Sequence, residues 1–399
     1  MMIPERPALE RRVLAALDGS AGAAPRIPVV IGGCGSGRTS LLLRLRDLIG
    51  RSSSQYIDVE RIATTPERFL DAMRQTTPFA AIPYGDHHGR ETGARAAFDA
   101  ALAFLDTCRA EGGNTPATFL LDEFLELRTF ESFPGLRSVL RDLLGVLAQS
   151  GNRFVLTTRY GARTHRLLRD APARFEMVQV APLTPAEIRA TVPAAFPARS
   201  LSGSHEDEDD HGRDDLARLI HAISDGRPSY ARMIAEASAA MVPRGTVDPV
   251  SALSALLAPG GTMSGACRFC YELRLHRARG YGALKAILDV LAQEEPLTLT
   301  EIALRLRRTP GSTKDYLSWL EDVDLIVSRQ KRYSFSDPMM RLWVRLHCHA
   351  APPSDEDIAG EVHAYVLGRL PHNEPALALA GAQPSDRDRD KSWGIIEID

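Results

Sequence analysis

The sequence lacks any uninterrupted apolar run approaching the roughly 18 residues of a membrane-spanning helix, so we predict no membrane partner. Its opening stretch, MMIPERPALERRVLAALDG, has neither the apolar centre nor the small-residue cleavage site of a signal peptide. Cysteine is scarce, and the five cysteines are an odd number without the spacing of a disulfide framework, which favours a reducing compartment. We therefore expect a cytoplasmic protein.

The chain also lacks a strong excess of either charge, because its formal net charge is only -3. This excludes a global attraction to nucleic acid, so that any such binding must use a local basic patch. A content of 44% hydrophobic and 25% charged residues is ordinary for a soluble globular protein. The length of 399 residues allows two or three domains.

Residues 25–183 alternate short apolar, β-branched runs with longer helical patterns. RIPVVIG is followed by the helical pattern RTSLLLRLRDLIG, and ATFLLDEF is a nearly continuous apolar run, as expected of a central parallel strand buried on both faces. The alternation predicts an α/β fold in which helices cover a parallel sheet. Residues 1–24 are expected to form an N-terminal helix or tail.

The strand signal disappears after residue 183. Residues 184–265 have the pattern of short helices, interrupted at 200–215 by an acidic run that we expect to be a solvated loop, because clustered like charges repel. Residues 266–350 contain three helical patterns and then the alternating stretch IVSRQKRYSFSD, the layout of an α+β winged helix-turn-helix domain. Residues 351–399 are expected to form a tail that is partly ordered at best.

A glycine-rich stretch between the first strand and its helix matches most of the phosphate-loop pattern G-x-x-x-x-G-K-[ST]. Gly32, Gly37 and Thr39 occupy the expected positions, whereas Arg38 stands where the pattern has lysine. Closely spaced glycines let successive N–H groups turn toward an anion at a helix N-terminus. The predicted phosphate-binding residues are Gly32, Gly33, Cys34, Gly35, Ser36, Gly37, Arg38, Thr39 and Ser40, with the Thr39 hydroxyl available to Mg²⁺.

In TFLLDEF two acids, Asp122 and Glu123, lie at the C-terminal end of a predicted buried strand, the edge where open α/β sheets bind ligands. We predict that Asp122 holds Mg²⁺ through its water shell and that Glu123 orients the attacking water in phosphoryl transfer. The alternative is that both acids are merely solvated or cap the next helix. Thr157 and Thr158 end the following strand, and Thr158 is the candidate polar group between these acids and a γ-phosphate.

Together these segments resemble AAA+ type P-loop ATPases, and the chain is most similar to the STAND-related archaeal ATPase group and, more distantly, to origin-recognition-type initiators. The segments that carry the resemblance are GGCGSGRTS, FLLDEF, LTTR, SDGRPSYARMI and YSFSDPMMRLWVRL.

The resemblance implies ATP and Mg²⁺ as cofactors and identifies residues 184–265 as a helical lid that is oriented by Gly226 and Pro228. It makes Arg227 a candidate nucleotide contact, although a plain surface arginine is an equal alternative. It also makes Arg174 a candidate arginine finger for a neighbouring subunit of a homo-oligomer. Arg159 and Arg169 compete for that role.

The arginine at position 38 retains a positive charge but is larger and more planar than lysine. A misplacement of about 1 Å in the reacting geometry can slow catalysis on the order of a hundredfold. The acid at position 123 argues against a site that is used for binding alone. We therefore predict ATP binding with slow hydrolysis, and the enzymatic status of the chain stays open.

The predicted winged helix offers a basic patch for the DNA backbone. Its residues are Arg307, Arg308, Arg329, Lys331 and Arg332. The presumptive recognition helix, GSTKDYLSWLEDVDL, carries Lys314 alone against several acids, so base-specific readout is disfavoured. A winged helix that docks onto a protein partner is the alternative.

Cys267 and Cys270 form a C-x-x-C pair whose surroundings match no zinc-finger spacing. Free thiols are therefore the preferred interpretation.

The leading functional hypothesis is a nucleotide-dependent switch that repositions the winged helix toward double-stranded DNA or a protein. Two alternatives stay open: a nucleotide-binding scaffold that does not hydrolyse, and a winged-helix DNA-binding regulator with a vestigial ATPase.

Overall fold

The computed structural model describes residues 6–19, 24–79, 93–110, 115–191, 206–241, 248–276, 280–349 and 351–370. The N-terminal half alternates strands with helices. Its strands are β1 (Ile27–Ile31), β2 (Ser54–Asp58), β3 (Arg109–Ala110), β4 (Thr115–Pro116), β5 (Thr118–Asp122), β6 (Arg153–Thr158) and β7 (Phe175–Gln179). Its helices are α1 (Pro7–Asp18), α2 (Arg38–Ile49), α3 (Val59–Ile62), α4 (Pro66–Thr76), α5 (Ala94–Thr107), a 3-10 helix (Phe124–Ser132), α6 (Val139–Gln149) and α7 (Gly161–Leu168).

Five of these strands form one parallel sheet in the order β2-β5-β6-β1-β7, which confirms the predicted α/β core. β6 lies between β1 and the acidic strand β5. Because the strands are parallel, the segments that follow β1, β5 and β6 emerge at one edge of the sheet. The glycine loop, the two acids and the threonine pair are therefore neighbours at that edge.

Alternate residues of β1 point to the two faces of the sheet, as strand geometry requires. Val30 packs with Leu42 and Leu45 of α2 on one face. Ile27 and Val29 belong to the larger apolar cluster on the other face. Burial on both faces explains why β1 and the middle of β5, Phe119 to Leu121, are apolar.

Four helices follow the sheet: α8 (Pro185–Thr191), α9 (Glu206–Ser224), α10 (Pro228–Met241) and α11 (Pro249–Leu257). The loop predicted for residues 200–215 is wrong from Glu206 onward, because that acidic segment is the first half of α9. Acidic residues are favourable near a helix N-terminus, where the macrodipole is positive. In addition, Asp214 forms a 3.1 Å ion pair with Arg189 of α8.

The C-terminal part contains α12 (Thr262–His276), α13 (Tyr281–Gln293), β8 (Leu297–Thr298), α14 (Leu299–Arg305), α15 (Pro310–Asp322), β9 (Ile326–Arg329), β10 (Arg332–Phe335), α16 (Pro338–His347) and α17 (Asp355–Leu367). The three short strands form a sheet in the order β8-β10-β9. Among the described helices, none combines the length and apolarity that crossing a bilayer requires.

The beginning of the predicted C-terminal tail, residues 351–370, is ordered in the structure. α17 starts at a capping box formed by Ser354 and Asp357 and buries Ile358, Val362 and Val366. Tyr365 donates a 2.9 Å hydrogen bond to the carbonyl of Ile223 in α9. Residues 371–399 of that tail lie outside the described residues.

Candidate functional site

The glycine loop joins β1 to α2 and is attached to the neighbouring strand, since the Gly32 amide donates to the Thr158 carbonyl at 3.3 Å. Gly35 and Gly37 have φ values of 72° and 90°, which a residue with a Cβ rarely adopts. Gly37 immediately precedes α2, so the loop opens at that helix's N-terminus. This is the backbone arrangement that an anion-binding loop needs.

Arg38 begins α2 but its side chain folds back over the loop. The guanidinium donates to the carbonyls of Gly32 and Gly33, the second at 2.6 Å, and forms an ion pair with Glu123. Only 7% of the Arg38 side chain is exposed. Its positive charge is thus already directed at oxygen atoms of this chain, rather than held free for a phosphate.

Glu123 directly follows β5 and has a left-handed φ of 54°. Its carboxylate is also contacted by Arg159, whose Nε lies 3.0 Å from Oε1 and whose backbone amide donates to Oε2 at 3.1 Å. Burial by itself lowers the pKa of Arg159, but the charges of Glu123, Cys34 and Glu60 outweigh it and raise that pKa. Glu123 therefore lies between two buried cations.

Asp122 and Thr39, the two predicted magnesium ligands, are brought together by the fold. Thr39 Oγ1 donates to Asp122 Oδ2 at 2.6 Å, and the Tyr56 hydroxyl donates to the same oxygen at 3.0 Å. Tyr56 was not identified from the sequence. The only indication of its role is its position in the sheet: Tyr56 lies in β2, opposite Leu120 of β5.

Of the two threonines that end β6, Thr157 contacts the acids. Its hydroxyl donates to Asp122 Oδ1 and accepts from the Glu123 amide at 3.2 Å. Thr158 Oγ1 instead accepts from the Tyr160 amide at 3.2 Å. The acids are thus contacted by Thr157 rather than by Thr158, because adjacent strand residues point to opposite faces. A contact of Thr158 with a γ-phosphate stays a prediction.

A cavity of about 210 Å³ adjoins the loop, lined by Gly35, Ser36, Gly37, Arg38, Thr39, Ser40, Pro228, Ser229 and Arg232. Loop amides, hydroxyls and a guanidinium are the donors that a polyphosphate requires. The residues present thus fit phosphates and Mg²⁺.

α10 is held against the loop by a direct contact, the 3.1 Å hydrogen bond from the Ser229 amide to the Gly35 carbonyl. Gly226 has a φ of 64°, and its carbonyl accepts a 2.7 Å hydrogen bond from the Leu183 amide. A Cβ at this glycine would lie 2.6 Å from the Leu183 carbonyl oxygen. Only glycine therefore fits at position 226, shortly before α10 begins.

Arg227 connects three parts of the chain. A Cβ added to Gly33 would lie 2.9 Å from its Nη1, so the guanidinium lies directly over the loop. The same side chain forms a 3.1 Å ion pair with Asp337 and donates to the Ser336 carbonyl at 3.0 Å. Arg227 is thus an interior contact between loop, lid and C-terminal part, not a plain surface arginine.

The C-terminal part also docks on α7. Asp324 accepts hydrogen bonds from the amides of Gly161 and Ala162, at 2.5 and 3.4 Å, and Arg166 pairs with Asp322. Burial raises the pKa of Asp324 to about 6, against the lowering effect of those amides and of Arg274. The acids at the C-terminal end of α15 therefore contact α7 of the core.

The arginine-finger candidates lie in different environments. Arg174 donates to four carbonyls, those of Leu147, Ala148, Ser150 and Asn152. It thus caps the C-terminus of α6 and precedes β7, at the sheet edge opposite the glycine loop. Arg159 acts within its own chain on Glu123, and Arg169 is exposed at the end of α7. A role for Arg174 toward another subunit stays a prediction.

All five predicted nucleic-acid residues are exposed: Arg307, Arg308, Arg329, Lys331 and Arg332. Arg329 and Arg332 face each other across the β9–β10 hairpin. Arg308 lies over the Tyr316 ring of α15 at 5.4 Å. The patch is therefore accessible to solvent.

The two thiols of the C-x-x-C pair have different partners. Cys267 is buried beside the Tyr230 hydroxyl at 3.8 Å, whereas Cys270 lies beside Cys34 of the glycine loop. Both are free cysteines.

No protein-family model matches the chain, and no curated protein matches it. Among solved structures, the chain is similar to the Walker-type ATPase PABY2304 of Pyrococcus abyssi, with a TM-score of 0.59 and 16% identity, over 86% of this chain and 96% of that one. The core has the fold of a P-loop ATPase. The Aeropyrum pernix ORC1 protein in complex with DNA matches over 92% of this chain and 95% of that one at 16% identity, but its TM-score of 0.41 is too low to support an argument.

Proposed function

We propose that this protein is a nucleotide-binding switch in which ATP with Mg²⁺ at the glycine loop controls the position of the C-terminal part. The observation that carries the proposal is the position of Arg227. One guanidinium lies over Gly33 and also pairs with Asp337, so a change of charge at the loop reaches the C-terminal part through a single side chain.

The loop amides from Gly35 to Ser40 would hold the phosphates, assisted by Ser229 and Arg232 from the lid. Thr39 and Asp122 would hold Mg²⁺, because their oxygens are already adjacent. Bound Mg–ATP supplies the phosphoryl group and a concentrated negative charge. Arg227 then has a second anionic partner that competes with Asp337, which favours release of the C-terminal part.

Slow hydrolysis is part of the proposal. A carboxylate that orients water must have a free oxygen, and Glu123 is engaged by Arg38 and Arg159 on both of its oxygens. Turnover therefore requires that these contacts rearrange. In the scaffold alternative, the chain binds nucleotide without hydrolysis because Glu123 stays paired with Arg38 and Arg159.

We further propose that residues 281–335 form a winged helix-turn-helix. The order of α13, β8, α14, α15, β9 and β10 supports this, with the β9–β10 hairpin as the wing. The exposed basic patch is suited to phosphate contacts on double-stranded DNA, whereas the acids at the end of α15 are docked on α7. The nucleotide-dependent step would expose that end of α15.

Amide hydrogen exchange of the full chain, with and without a non-hydrolysable ATP analogue and Mg²⁺, tests the switch. We expect the analogue to accelerate exchange of the Gly161 and Ala162 amides, because their acceptor Asp324 moves away. Arg227→Ala should show the faster exchange without nucleotide. Arg218→Ala, which removes an exposed lid arginine paired with Asp215, is the matched control and should behave like the parent chain.

Two outcomes would contradict the proposal separately. If the analogue binds and exchange at Gly161 and Ala162 does not change, the site binds nucleotide but is not the switch. If isothermal titration detects no binding of Mg–ATP at millimolar concentrations, the nucleotide site itself is wrong.

A further inference from the structure

Cys34 of the glycine loop lies in a strongly cationic environment. Arg274 of α12 donates to Cys34 Sγ at 3.3 Å, and Arg274 is itself 3% exposed and held by a 3.0 Å hydrogen bond to the Asp324 carbonyl. The guanidinium groups of Arg38 and Arg159 add positive potential from the side of the sheet. A fixed buried cation beside a thiol stabilises the thiolate, which is the reactive form of cysteine.

A second thiol lies within hydrogen-bonding reach of the first. Cys270 precedes Arg274 by one helical turn, so both side chains project from the same face of α12 toward the loop. The hydrogen bond from Cys270, followed by the charges of Arg274, Arg159 and Arg38, lowers the pKa of Cys34 against its burial. The same hydrogen bond, together with burial, raises the pKa of Cys270.

We propose that Cys34 and Cys270 are an oxidation site, in which peroxide converts Cys34 to a sulfenic acid and Cys270 resolves it to a disulfide. The Cys34 thiolate attacks one peroxide oxygen, the O–O bond breaks and hydroxide leaves. The Cys270 sulfur then attacks the oxidised sulfur, the S–S bond forms, and the hydroxyl leaves as water with the Cys270 proton. In total, two thiols are oxidised and one peroxide is reduced to two water molecules.

Closing the disulfide requires the two sulfur atoms to move toward each other. A disulfide needs sulfur atoms about 2.05 Å apart, so a hydrogen-bonded thiol pair must approach further, by a distance on the order of an ångström. Cys34 is flanked by Gly33 and Gly35, whose backbones adjust most easily. Both cysteines are partly exposed, which gives peroxide access.

The disulfide would tie the loop covalently to α12. Its effect on nucleotide rests on the proposed function: a loop fixed to the C-terminal part cannot release it, so Mg–ATP binding should weaken at least tenfold and recover with dithiothreitol. The chemistry of the disulfide itself does not depend on that function.

The test treats the full chain with hydrogen peroxide and locates disulfides by mass spectrometry of peptides under non-reducing conditions. We expect a reducible link between the peptides that contain Cys34 and Cys270, absent in Cys34→Ser and in Cys270→Ser. Cys267→Ser is the matched control on the same helix and should retain the link, because Cys267 is buried beside the Tyr230 hydroxyl rather than beside Cys34.

The proposal is overturned if peroxide produces no link, a link that involves Cys267, or over-oxidation of Cys34 in the presence of Cys270. If the Cys34–Cys270 link forms but the reduced protein does not bind Mg–ATP, the oxidation site stands and the nucleotide proposal fails. Circular dichroism of each serine variant verifies that a missing link does not reflect unfolding.

Discussion

Arg38 and Glu123 form a buried ion pair that links the first residue of α2 to the residue after β5. The residue that stands where the phosphate-loop pattern has lysine thus binds Glu123, the acid that we predict to orient the attacking water. A planar guanidinium can contact the Gly33 carbonyl, the Gly32 carbonyl and a carboxylate at once, whereas an ammonium group is a compact point charge. The substitution therefore affects the acid as well as the loop.

Arg38→Lys should increase ATP hydrolysis. The shorter reach and single nitrogen of lysine release Glu123 from one of its two cations, so we expect kcat to rise on the order of tenfold or more, measured as phosphate release under saturating Mg–ATP. Arg44→Lys, on the same helix, is the control and should leave kcat unchanged. An unchanged kcat in Arg38→Lys would show that the ion pair does not limit turnover.

Glu123→Gln should abolish hydrolysis but retain nucleotide binding, since Glu123 does not line the cavity beside the loop. It should also destabilise the fold by about 3–5 kcal/mol, because Arg38 and Arg159 lose their shared buried anion. Urea unfolding measures the loss, with Glu131→Gln in a more exposed ion pair as the control. Equal stabilities of the two variants would contradict the buried-pair interpretation.

The stability of the chain should depend on the ionisation of Asp324. Its folded pKa, about 6, is above the ordinary aspartate pKa of 3.8, so the folded state binds this proton more tightly. The contribution of this group to the free energy of unfolding is therefore fully present below about pH 4 and is lost as the pH rises through 6. The loss is on the order of 2–3 kcal/mol.

The comparison of Asp324→Asn with the parent chain in urea unfolding between pH 4 and 7 isolates this effect. The difference between their free energies of unfolding should change across that range and level off above pH 6. Asp315→Asn, which changes an exposed carboxyl on α15, should not remove the pH dependence. The groups that face Asp324 are Arg274, Arg163 and the amides of Gly161 and Ala162. The two guanidinium groups stay charged across this pH range, and the amides do not titrate.

DNA binding, if it follows the proposed basic patch, should be sensitive to salt and insensitive to sequence. Lys331→Ala and Arg329→Ala should each weaken duplex binding to all sequences alike and reduce the slope of log K against log salt by about one. Fluorescence anisotropy at several salt concentrations measures both. Arg51→Ala, an exposed arginine on the core, is the control. Loss of affinity for one sequence only would indicate base readout instead.

Local patterns in the sequence determined the elements of the core. The glycine spacing, the apolar strand before it and the helical pattern after it predict a phosphate loop, because backbone requirements and periodicity act between near neighbours. The strand that ends in Asp122 was predicted for the same reason, and the parallel order of the sheet follows from the alternation of strands and helices.

Local charge gave the wrong answer for residues from Glu206 onward. Repulsion between neighbouring acids predicts a loop, but these acids lie at the start of α9, whose later residues Ala217, Ile220 and Ile223 are buried in the core. The helix macrodipole and the packing of the second half stabilise the helix beyond the repulsion.

Only the tertiary structure decided what the site residues contact. Arg38 forms an ion pair with Glu123, Tyr56 donates a hydrogen bond to Asp122, and Arg274 donates one to Cys34. The two residues of each pair are far apart in the sequence. The sequence could identify the charge at position 38 but not its partner, because a side chain's partner depends on which strand ends the sheet brings together. The fold thus determined that the arginine binds the acid, and the sequence determined that an arginine was there.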